Sequence, residues 1–361
     1  MFLPPGSGSV ARLDGTDTTH TKGEQDMTTT PRIFSGIKPT GHLTLGNYLG
    51  ALRQWVAADR TPESALFCVV DLHALTVEHE PARVRRLSRQ AATLFLAAGL
   101  DPQRCTLFVQ SHVDEHTRLA YLLECTATDG ELRRMIQYKE KAAKAQVSGE
   151  GVRLSLLTYP VLMAADILAY GAQEVPVGED QRQHVELTRD LAVRFNQRYG
   201  HTFTVPKATL PAVAARVMDL QDPTSKMGKS HESGAGIVYL LDEPGVVRKK
   251  VMRAVTDSGD DGVVYDREAR PGVANLLDIL AACAGGDPAV LAEGYSGYGA
   301  LKRDVADAVV ELLRPLQERH AELAGDPAEV EKVLREGAER ARRLARPVVD
   351  RAYRAIGLLE P

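Results

Sequence analysis

The pattern of apolar and polar positions in the first third of the chain predicts alternating strands and helices. Ile33–Ser35 has the character of a short strand, and Ala65–Val70 and Cys105–Val109 are continuous apolar runs of strand length. Such runs are typical of strands buried on both faces of a parallel sheet. Segments with apolar residues at helical spacing, near 46–58 and 81–99, lie between them. This order predicts an α/β fold with a doubly wound, Rossmann-like parallel sheet.

The remainder of the chain is mainly helical by the same criterion. Glu115–Gln146 is rich in charges and predicted to be helical, Thr158–Tyr170 predicts another helix, and Glu174–Val177 predicts a further strand. Strand patterns nearly vanish after Ser230, where long apolar stripes at helical spacing take over. The segment Asp326–Glu329 offers a capping residue, a proline in the first turn and an acidic third position, so it predicts the start of the last helix.

These patterns divide the chain into three predicted parts. Residues 1–30 are rich in small and polar residues, lack the apolar core of a signal peptide, and are predicted to be disordered. Met27 is an alternative start of translation, and a partner-binding tail is the other interpretation of this segment. Residues 31–230 are predicted to form the Rossmann-like domain, with a helical insertion at about 112–150. Residues 231–361 are predicted to form an all-helical domain whose last helix could pack back on the first domain.

Composition and charge narrow the classes of protein that fit. The chain has 361 residues, 44% of them hydrophobic and 25% charged, with 44 basic and 48 acidic side chains and a net charge of -4. This is ordinary globular composition, which excludes a disordered chain and a strongly basic nucleic-acid coat but not a local RNA-binding face. No stretch of about 18 apolar residues predicts a membrane span. The four cysteines form no CxxC pair, so neither a zinc site nor a disulfide framework is expected, and a reducing cytoplasm fits.

A glycine-containing loop follows the first predicted strand. This segment, Pro39–Asn47, here called the TLGN loop, lies between a strand and a helix, at the sheet edge where such folds bind ligands. Gly41 and Gly46 allow close approach of a ligand, Thr44 and Asn47 supply polar groups, and the helix N-terminus offers free N–H groups to phosphate. An ordinary turn between strand and helix is the alternative interpretation.

Two further segments carry polar groups in positions that suit a nucleotide. The KMGKS loop, Lys226–Ser230, brings two lysines and a hydroxyl close together and could hold a departing pyrophosphate; a solvated basic loop is the alternative. The GEDQ turn, Gly178–Gln181, directly follows the strand that ends at Val177, in line for a ribose or an amino group; a helix-capping turn is the alternative.

One carboxylate stands out on a predicted apolar helix. Asp166 lies in the segment Met163–Leu168, where its neighbours are apolar. A buried carboxylate needs a partner, because burial without one is costly. The alternative is an aspartate on the solvated face of the helix.

Together these segments resemble the bacterial tryptophanyl-tRNA synthetase family of class I aminoacyl-tRNA synthetases. The matching stretches are IFSGIKPTGHLTLGNYLGALRQ, VVDLHALTV, GELRRMIQYKEK, LLTYPVLMAADIL, VPVGEDQRQHVELTRDLAVRFN, DPTSKMGKS, KKVMRAVTDS and RPGVANLL, over about nine-tenths of the chain. The related tyrosyl family shares the fold, but it usually carries a histidine-rich form of the first signature. The Thr44-Leu45-Gly46-Asn47 sequence resembles the tryptophanyl form.

The resemblance implies a two-step ligase reaction. Tryptophan would attack the α-phosphate of ATP, and the tryptophanyl group would then pass to tRNA(Trp). Mg²⁺ would accompany ATP without a dedicated protein site. The implied catalytic residues are Thr44, Asn47, Lys226 and Lys229. The implied ATP-binding residues are Lys38, Pro39, Thr40, Gly46, Asn47, Gly178, Glu179, Asp180, Val217, Lys226, Met227, Gly228, Lys229 and Ser230.

The resemblance also implies a tryptophan pocket in which Asp166 accepts the indole N–H and Tyr159 and Gln181 hold the α-amino group. The implied tryptophan-binding residues are Phe34, Gly36, Val70, His73, Tyr159, Met163, Asp166, Ile167, Val175, Val177 and Gln181. By the same resemblance the helical domain would recognise the anticodon, and the protein would be a homodimer with the charged insertion in its interface. Neither a membrane nor DNA is an expected partner.

Two positions depart from the family pattern. Position 228, usually Ser, is Gly, and position 38, commonly Gln, is Lys. Because both signature lysines are retained, we expect the protein to be active. The two substitutions are expected to alter its kinetics or its response to inhibitors. One setting that would fit them is an auxiliary copy of the enzyme beside a second one. The alternative hypothesis is a synthetase-like RNA-binding or regulatory protein that does not activate an amino acid.

Overall fold

A parallel sheet forms the centre of the protein. The computed structural model describes residues 30–58, 60–149, 151–209, 217–228, 234–257 and 262–359. Within these ranges the sheet has five strands in the order β3-β2-β1-β4-β5, all parallel. The strands are β1 Ile33–Ile37, β2 Ala65–Val69, β3 Thr106–Val109, β4 Glu174–Pro176 and β5 Lys207–Thr209. The predicted doubly wound α/β fold is confirmed by this sheet and by the solved structures that resemble it.

The central strands are apolar because both faces of the sheet are covered. All five residues of β2 are buried, as are all four of β3. In the register of the sheet, Ile33 lies beside Ala65, and Leu66 lies beside Thr106. These continuous apolar runs are therefore the signal that made β2 and β3 predictable.

Helices cover both faces of the sheet and form the rest of the chain. Their bounds are α1 Leu45–Asn47, α2 Arg53–Ala57, α3 Pro81–Ala97, α4 Glu115–Glu124, α5 Asp129–Arg133, α6 Ile136–Ser148, α7 Leu154–Leu168, α8 Arg182–Tyr199, α9 Pro244–Met252, α10 Pro271–Ala284, α11 Pro288–Glu293, α12 Tyr298–Gly325 and α13 Pro327–Ala355. A π-helical segment, Tyr48–Leu52, joins α1 to α2, so the helix predicted near 46–58 is wound in three pieces. The charged stretch predicted as helical is divided into α4, α5 and α6.

Two local features differ from the sequence predictions. The edge strand β5 was not predicted, since it has only three residues and none of them is buried. The start of α13 was placed correctly, with Pro327 in its first turn, but the Asp326 side chain makes no capping hydrogen bond. Asp326 also ends α12, and its backbone, with φ of -126° and ψ of 77°, is not helical and separates the two helices.

The last helix lies directly against the sheet. A Cβ atom built on Gly337 of α13 would lie 1.8 Å from the carbonyl oxygen of Leu107 in β3, so only glycine permits this approach. Helices on both sides of the predicted boundary near 231–236 share one hydrophobic core, which includes Leu94 of α3 and Leu313 of α12. Residues 31–361 cluster as one unit, and the division at residue 230 stays a prediction.

Some predictions concern segments that lie outside this description. The predicted disorder of residues 1–30 falls almost wholly on residues that are not described. Among the helices that are described, none is long and apolar enough to cross a membrane. The described residues also contain no group of three or more His, Cys, Asp or Glu side chains that could hold a metal ion.

Candidate active site

The candidate site lies where the strand order of the sheet reverses. β1 pairs with β2 on one side and with β4 on the other. In open parallel sheets, the crevice at the carboxyl ends of two such strands is where ligands bind. The TLGN loop follows β1 and the GEDQ turn follows β4, so both lie at this edge.

The TLGN loop is held by its own side chains. The Thr44 hydroxyl accepts a hydrogen bond from the Asn47 amide at 3.2 Å, and the Asn47 side-chain oxygen accepts one from the Thr44 amide at 3.1 Å. This reciprocal pair is a capping box that starts α1. Thr44 is fully buried, so its hydroxyl supports the turn.

The three polar segments come together in space. A Cβ atom on Gly46 would lie 3.3 Å from the carbonyl oxygen of Met227, so the TLGN loop touches the KMGKS loop. A Cβ atom on Gly178 would lie 3.7 Å from the Lys226 ammonium group, so the KMGKS loop reaches the GEDQ turn. Val217 is buried and its carbonyl oxygen accepts a hydrogen bond from the Met227 amide at 3.0 Å. Lys229 and Ser230 lie outside the described residues.

Two lysines bring positive charge to this edge. Lys38 donates a hydrogen bond to the Thr76 hydroxyl at 3.1 Å, and burial together with the nearby Lys141 lowers the pKa of Lys38 to about 8. Lys141 of α6 donates to the Gln137 side-chain oxygen at 3.1 Å and lies over the Tyr159 ring. Burial also lowers the pKa of Lys141. The two ammonium groups repel each other, and an anionic ligand would relieve that repulsion.

Asp166 is buried, not solvated. Its residue is 1% exposed on α7, and its carboxylate accepts hydrogen bonds from three side chains. His73 donates from Nε2 to Oδ2 at 2.9 Å, and His116 donates from Nδ1 to Oδ1 at 2.6 Å. Gln110 donates from Nε2 to both oxygens, at 2.7 and 2.9 Å. Burial alone would raise the pKa of Asp166, but the hydrogen bonds from His116 and His73 outweigh it and hold that pKa at about 2.

Two of these donors were missed from the sequence. Gln110 immediately follows the buried strand β3, at the same edge of the sheet as the TLGN loop, and that position could have identified it. His116 stands between Glu115 and Thr117 at the start of α4, a polar run that is typical of a solvated helix face. Its burial depends on the rings of Phe108 and Tyr170, which pack beside it and which no local pattern indicates.

Most of the apolar residues predicted to bind tryptophan lie in the same hydrophobic cluster as helix α7, which carries Asp166. Phe34 of β1 stacks on Tyr170 with 5.7 Å between ring centroids. A Cβ atom on Gly36 would lie 2.7 Å from the Val70 side chain, so glycine keeps the end of β1 open. The remaining apolar members are either buried in the core (Ile167, Val175) or half-buried (Met163, Val177).

Tyr159 and the GEDQ turn form the other side of the site. The Tyr159 hydroxyl lies 2.8 Å from Nε2 of the buried His184, and burial raises its pKa. Burial lowers the pKa of His184 to about 4, so this imidazole is neutral at neutral pH. Gln181 donates to the Asp180 carboxylate at 2.7 Å, while Glu179 is exposed. Pro39 is buried, and Thr40 beside it is exposed.

The arrangement suits recognition of a flat, neutral ring and a polyphosphate in adjacent spaces. The ring side offers an ionised acceptor among aromatic and apolar walls, and the phosphate side offers cations, backbone N–H groups and glycines. Cys68 of β2 is not placed to act as a nucleophile, because it is fully buried and burial raises the pKa of its thiol. Catalysis here would rest on positioning and electrostatic stabilisation.

Comparison with known proteins gives the class. The family model described as tRNA synthetases class I (W and Y) matches residues 26–314. The chain belongs to this family of class I tRNA synthetases.

Individual relatives narrow the class further. The chain is 78% identical to tryptophan--tRNA ligase 1 of Streptomyces avermitilis over 91% of this chain and 99% of that protein. It is 51% identical to tryptophan--tRNA ligase 2 of the same organism, over 91% of this chain and 97% of that one. Among solved structures, it resembles the tryptophanyl-tRNA synthetase of Campylobacter jejuni in complex with ADP and tryptophan, with a TM-score of 0.76 and 32% identity, over 91% of this chain and all of that one.

Proposed function

We propose that this class I synthetase activates L-tryptophan with ATP and transfers it to tRNA(Trp). The tryptophan carboxylate oxygen attacks the α-phosphorus of ATP, the bond to the β-phosphate oxygen breaks, and pyrophosphate leaves with that electron pair. The terminal ribose hydroxyl of the tRNA then attacks the tryptophanyl carbonyl carbon and releases AMP. The observation that carries the proposal is the meeting of three phosphate-suited segments beside a buried, ionised Asp166.

The nucleotide is proposed to lie against the TLGN loop, the GEDQ turn and the KMGKS loop. Lys38 and Lys226 lie at this edge of the sheet, and Lys229 belongs to the same loop as Lys226 in the sequence. All three are proposed to meet the phosphates, and the Gly178 backbone is proposed to meet the ribose. Mg²⁺ is proposed to arrive with ATP and to neutralise charge on its phosphates, since the described residues offer no cage for it. The complex of the Campylobacter protein with ADP and tryptophan supports an adenine nucleotide and tryptophan as the two ligands.

Tryptophan is proposed to place its indole N–H toward Asp166 and its α-amino group toward Tyr159 and Gln181. A hydrogen bond from the indole N–H to Asp166 would add to the selection by shape, in which a missing apolar group is worth only about 1–3 kcal/mol. Such a pocket needs no separate editing domain.

The proposed assembly is a homodimer that binds one tRNA across both subunits in the cytoplasm. Large apolar side chains are exposed within and just after the helical insertion: Tyr121, Ile136, Val147 and Leu154. A second copy of the chain would remove this surface from water. The helices of residues 231–361 are proposed to recognise the anticodon.

Two relatives from one organism support the proposal that this protein works beside a second synthetase. Streptomyces avermitilis has ligases 1 and 2, and this chain is far more similar to ligase 1. An auxiliary role beside a second synthetase is therefore part of the proposal. No observation on the described residues favours the alternative of a synthetase-like protein without activation activity.

The test is exchange of labelled pyrophosphate into ATP, measured with each of the twenty amino acids. We expect exchange with tryptophan and at most feeble exchange with tyrosine or phenylalanine, followed by aminoacylation of tRNA(Trp). A folded dimer that exchanges with none of the twenty would leave only the alternative without activation. Equal exchange with tyrosine would overturn the proposed specificity.

A further inference from the structure

The Asp166 carboxylate accepts hydrogen bonds from protein side chains on both of its oxygens. A carboxylate has about four acceptor positions. His73, Gln110 and His116 make four contacts with its two oxygens, all between 2.6 and 2.9 Å. An indole N–H that approaches Asp166 therefore competes with these three donors for the two oxygens.

Two of the donors are locked. The Gln110 side chain is fully buried, and its oxygen accepts a hydrogen bond from the Leu72 amide at 3.0 Å, which fixes the NH₂ group toward Asp166. His116 is also fully buried and bonded at both ring nitrogens, with Nε2 2.7 Å from the Tyr170 hydroxyl. Because the ionised carboxylate can only accept, Nδ1 of His116 carries a proton, and in the neutral ring Nε2 accepts from Tyr170.

The third donor, His73, is held differently. It is the most exposed of the three, at 9% against 0% for the other two, and it lies on the short 3₁₀ segment Leu72–Thr76. Its ring makes one hydrogen bond to the described residues, the contact to Asp166, and meets the Tyr159 ring edge-on at 6.2 Å. His73 can thus leave Asp166 with the loss of one hydrogen bond and no rearrangement of a buried network.

We propose that His73 is an exchangeable donor, which occupies Oδ2 of Asp166 in the empty pocket and yields that position to the indole N–H. Gln110, His116 and Tyr170 are positioning residues that hold the carboxylate still during the exchange. This inference rests on the proposed tryptophan-activating function.

The exchange changes what the pocket can discriminate. With a ring that lacks the N–H, His73 keeps its bond and Asp166 stays satisfied, so the full cost of an unpaired buried acceptor never arises. Tryptophan gains only the difference between its own hydrogen bond and that of His73. The native pocket should then reject an isostere without the N–H less strongly than a pocket with an unoccupied acceptor.

The test compares tryptophan with its analogue in which sulfur replaces the indole N–H. The ratio of their kcat/KM values in pyrophosphate exchange should be below about tenfold for the native protein. In His73→Leu, Asp166 has lost its replacement donor, so the ratio should rise by about tenfold or more. In His73→Gln, which restores an N–H donor of similar reach, the ratio should fall back toward the native value. His79→Leu is the matched control, because the exposed His79 contacts only the Val77 carbonyl oxygen.

The outcomes separate this inference from the proposed function. Both substrates are measured on the same preparation, so partial unfolding of a variant cancels from the ratio. An unchanged or lower ratio in His73→Leu would overturn the exchange. A native protein that does not exchange pyrophosphate with tryptophan at all would overturn the proposed function instead.

A separate variant, Tyr170→Phe, tests the residues that are proposed to hold the Asp166 carboxylate in place. Tyr170→Phe removes the hydroxyl that holds Nε2 of His116, so the Asp166 carboxylate should lose its fixed orientation. The KM for tryptophan should rise several-fold at an unchanged KM for ATP, and the ratio against the sulfur analogue should stay native because His73 remains. Tyr265→Phe, remote from the site, removes a hydroxyl that donates to Asp278 and serves as the control. A raised ratio in Tyr170→Phe would identify His116, not His73, as the exchangeable donor.

Discussion

The two halves of the candidate site prepare for their ligands in opposite ways. On the ring side, the charge of Asp166 is balanced inside the protein by three donors, and its pKa is held at about 2. On the phosphate side, burial and the nearby Lys141 together lower the pKa of Lys38. The protein thus provides hydrogen-bond donors for Asp166 from its own side chains. The repulsion between the two lysines is left in part for a ligand to relieve.

The difference follows from the chemistry of the two ligand groups. Indole is neutral and offers one N–H, so it can be recognised by exchange of one hydrogen bond in a rigid, dry pocket. A triphosphate is strongly anionic, and cations held at some cost interact with it more strongly than cations already neutralised. The following experiments, ordered by expected effect, test this division.

The largest effect is expected for Asp166→Ala. The change removes the acceptor shared by His73, Gln110 and His116 and leaves buried donors on Gln110 and His116 unpaired. The kcat/KM for tryptophan in pyrophosphate exchange should fall about 10²-fold or more, and the already feeble phenylalanine reaction should fall by a smaller factor, within about tenfold of that loss. Asp190→Ala, at an exposed position of α8, should leave both values unchanged. Equal losses for the two amino acids would make Asp166 a scaffold residue and move the recognition of indole elsewhere.

A substitution at Gly337, on the helix that packs against β3, tests whether the ring side of the site depends on rigid packing. Helix α13 packs on β3, which ends directly before Gln110, and a Cβ atom at Gly337 would collide with the Leu107 carbonyl. Gly337→Ala should lower the free energy of unfolding by about 1–3 kcal/mol in urea titrations. It should also raise the KM for tryptophan more than the KM for ATP.

The control for this helix is Gly325→Ala. Gly325 is the last residue of α12 and has nothing within 4 Å of the added methyl group. If the two alanine variants unfolded at the same urea concentration, the close seating of α13 on the sheet would not be a source of rigidity.

The smallest effect is expected on the phosphate side, from Lys38→Gln. The pKa of Lys38 is about 8 in the folded protein, below the ordinary 10.5. The kcat/KM for ATP follows the free enzyme, so it should fall several-fold as the pH rises through about 8, and Lys38→Gln should lack this decline. Lys332→Gln, at an exposed position of α13, should retain it.

The same lysine gives a stability test with a definite sign. Because its folded-state pKa is lowered, the charged form is penalised in the folded protein below pH 8. Between about pH 8 and 10.5 the unfolded chain binds more protons than the folded protein, so stability rises with pH in this window. Lys38→Gln should therefore raise the Tm at pH 7, and the gain should shrink as the pH increases from 8 to 10.5. A gain that grows with pH would contradict the assigned cause.

The sequence was most informative where burial on both faces of the sheet constrains composition. The strands β2 and β3 are continuous apolar runs, and the loops that follow strands at the ligand-binding edge include most of the candidate site. The sequence alone was compatible with either a buried or a solvated Asp166, and the structure shows that it is buried. Its contact with indole, like the contacts of the other site residues with ATP and tryptophan, stays a prediction.

What could not be predicted depends on contacts between distant segments. The strand β5 is held by pairing with β4 and by an ion pair between Lys207 and Glu174 at 2.9 Å, not by an apolar pattern of its own. His116 is buried because rings from β3 and from the end of α7 close over it. Because of this tertiary packing, His116 is part of the hydrogen-bond network around Asp166, although its sequence neighbours are typical of a solvated helix face.

The exchange at Asp166 can be observed most directly by NMR on protein labelled with ¹⁵N-histidine. In the empty protein, both His73 Nε2–H and His116 Nδ1–H are hydrogen-bonded to the carboxylate, and His73→Gln and His116→Gln assign the two signals. Saturation with tryptophan should move the His73 signal away from its hydrogen-bonded position and leave the His116 signal in place. A His73 signal that stays unchanged in a fully tryptophan-bound sample would contradict the account.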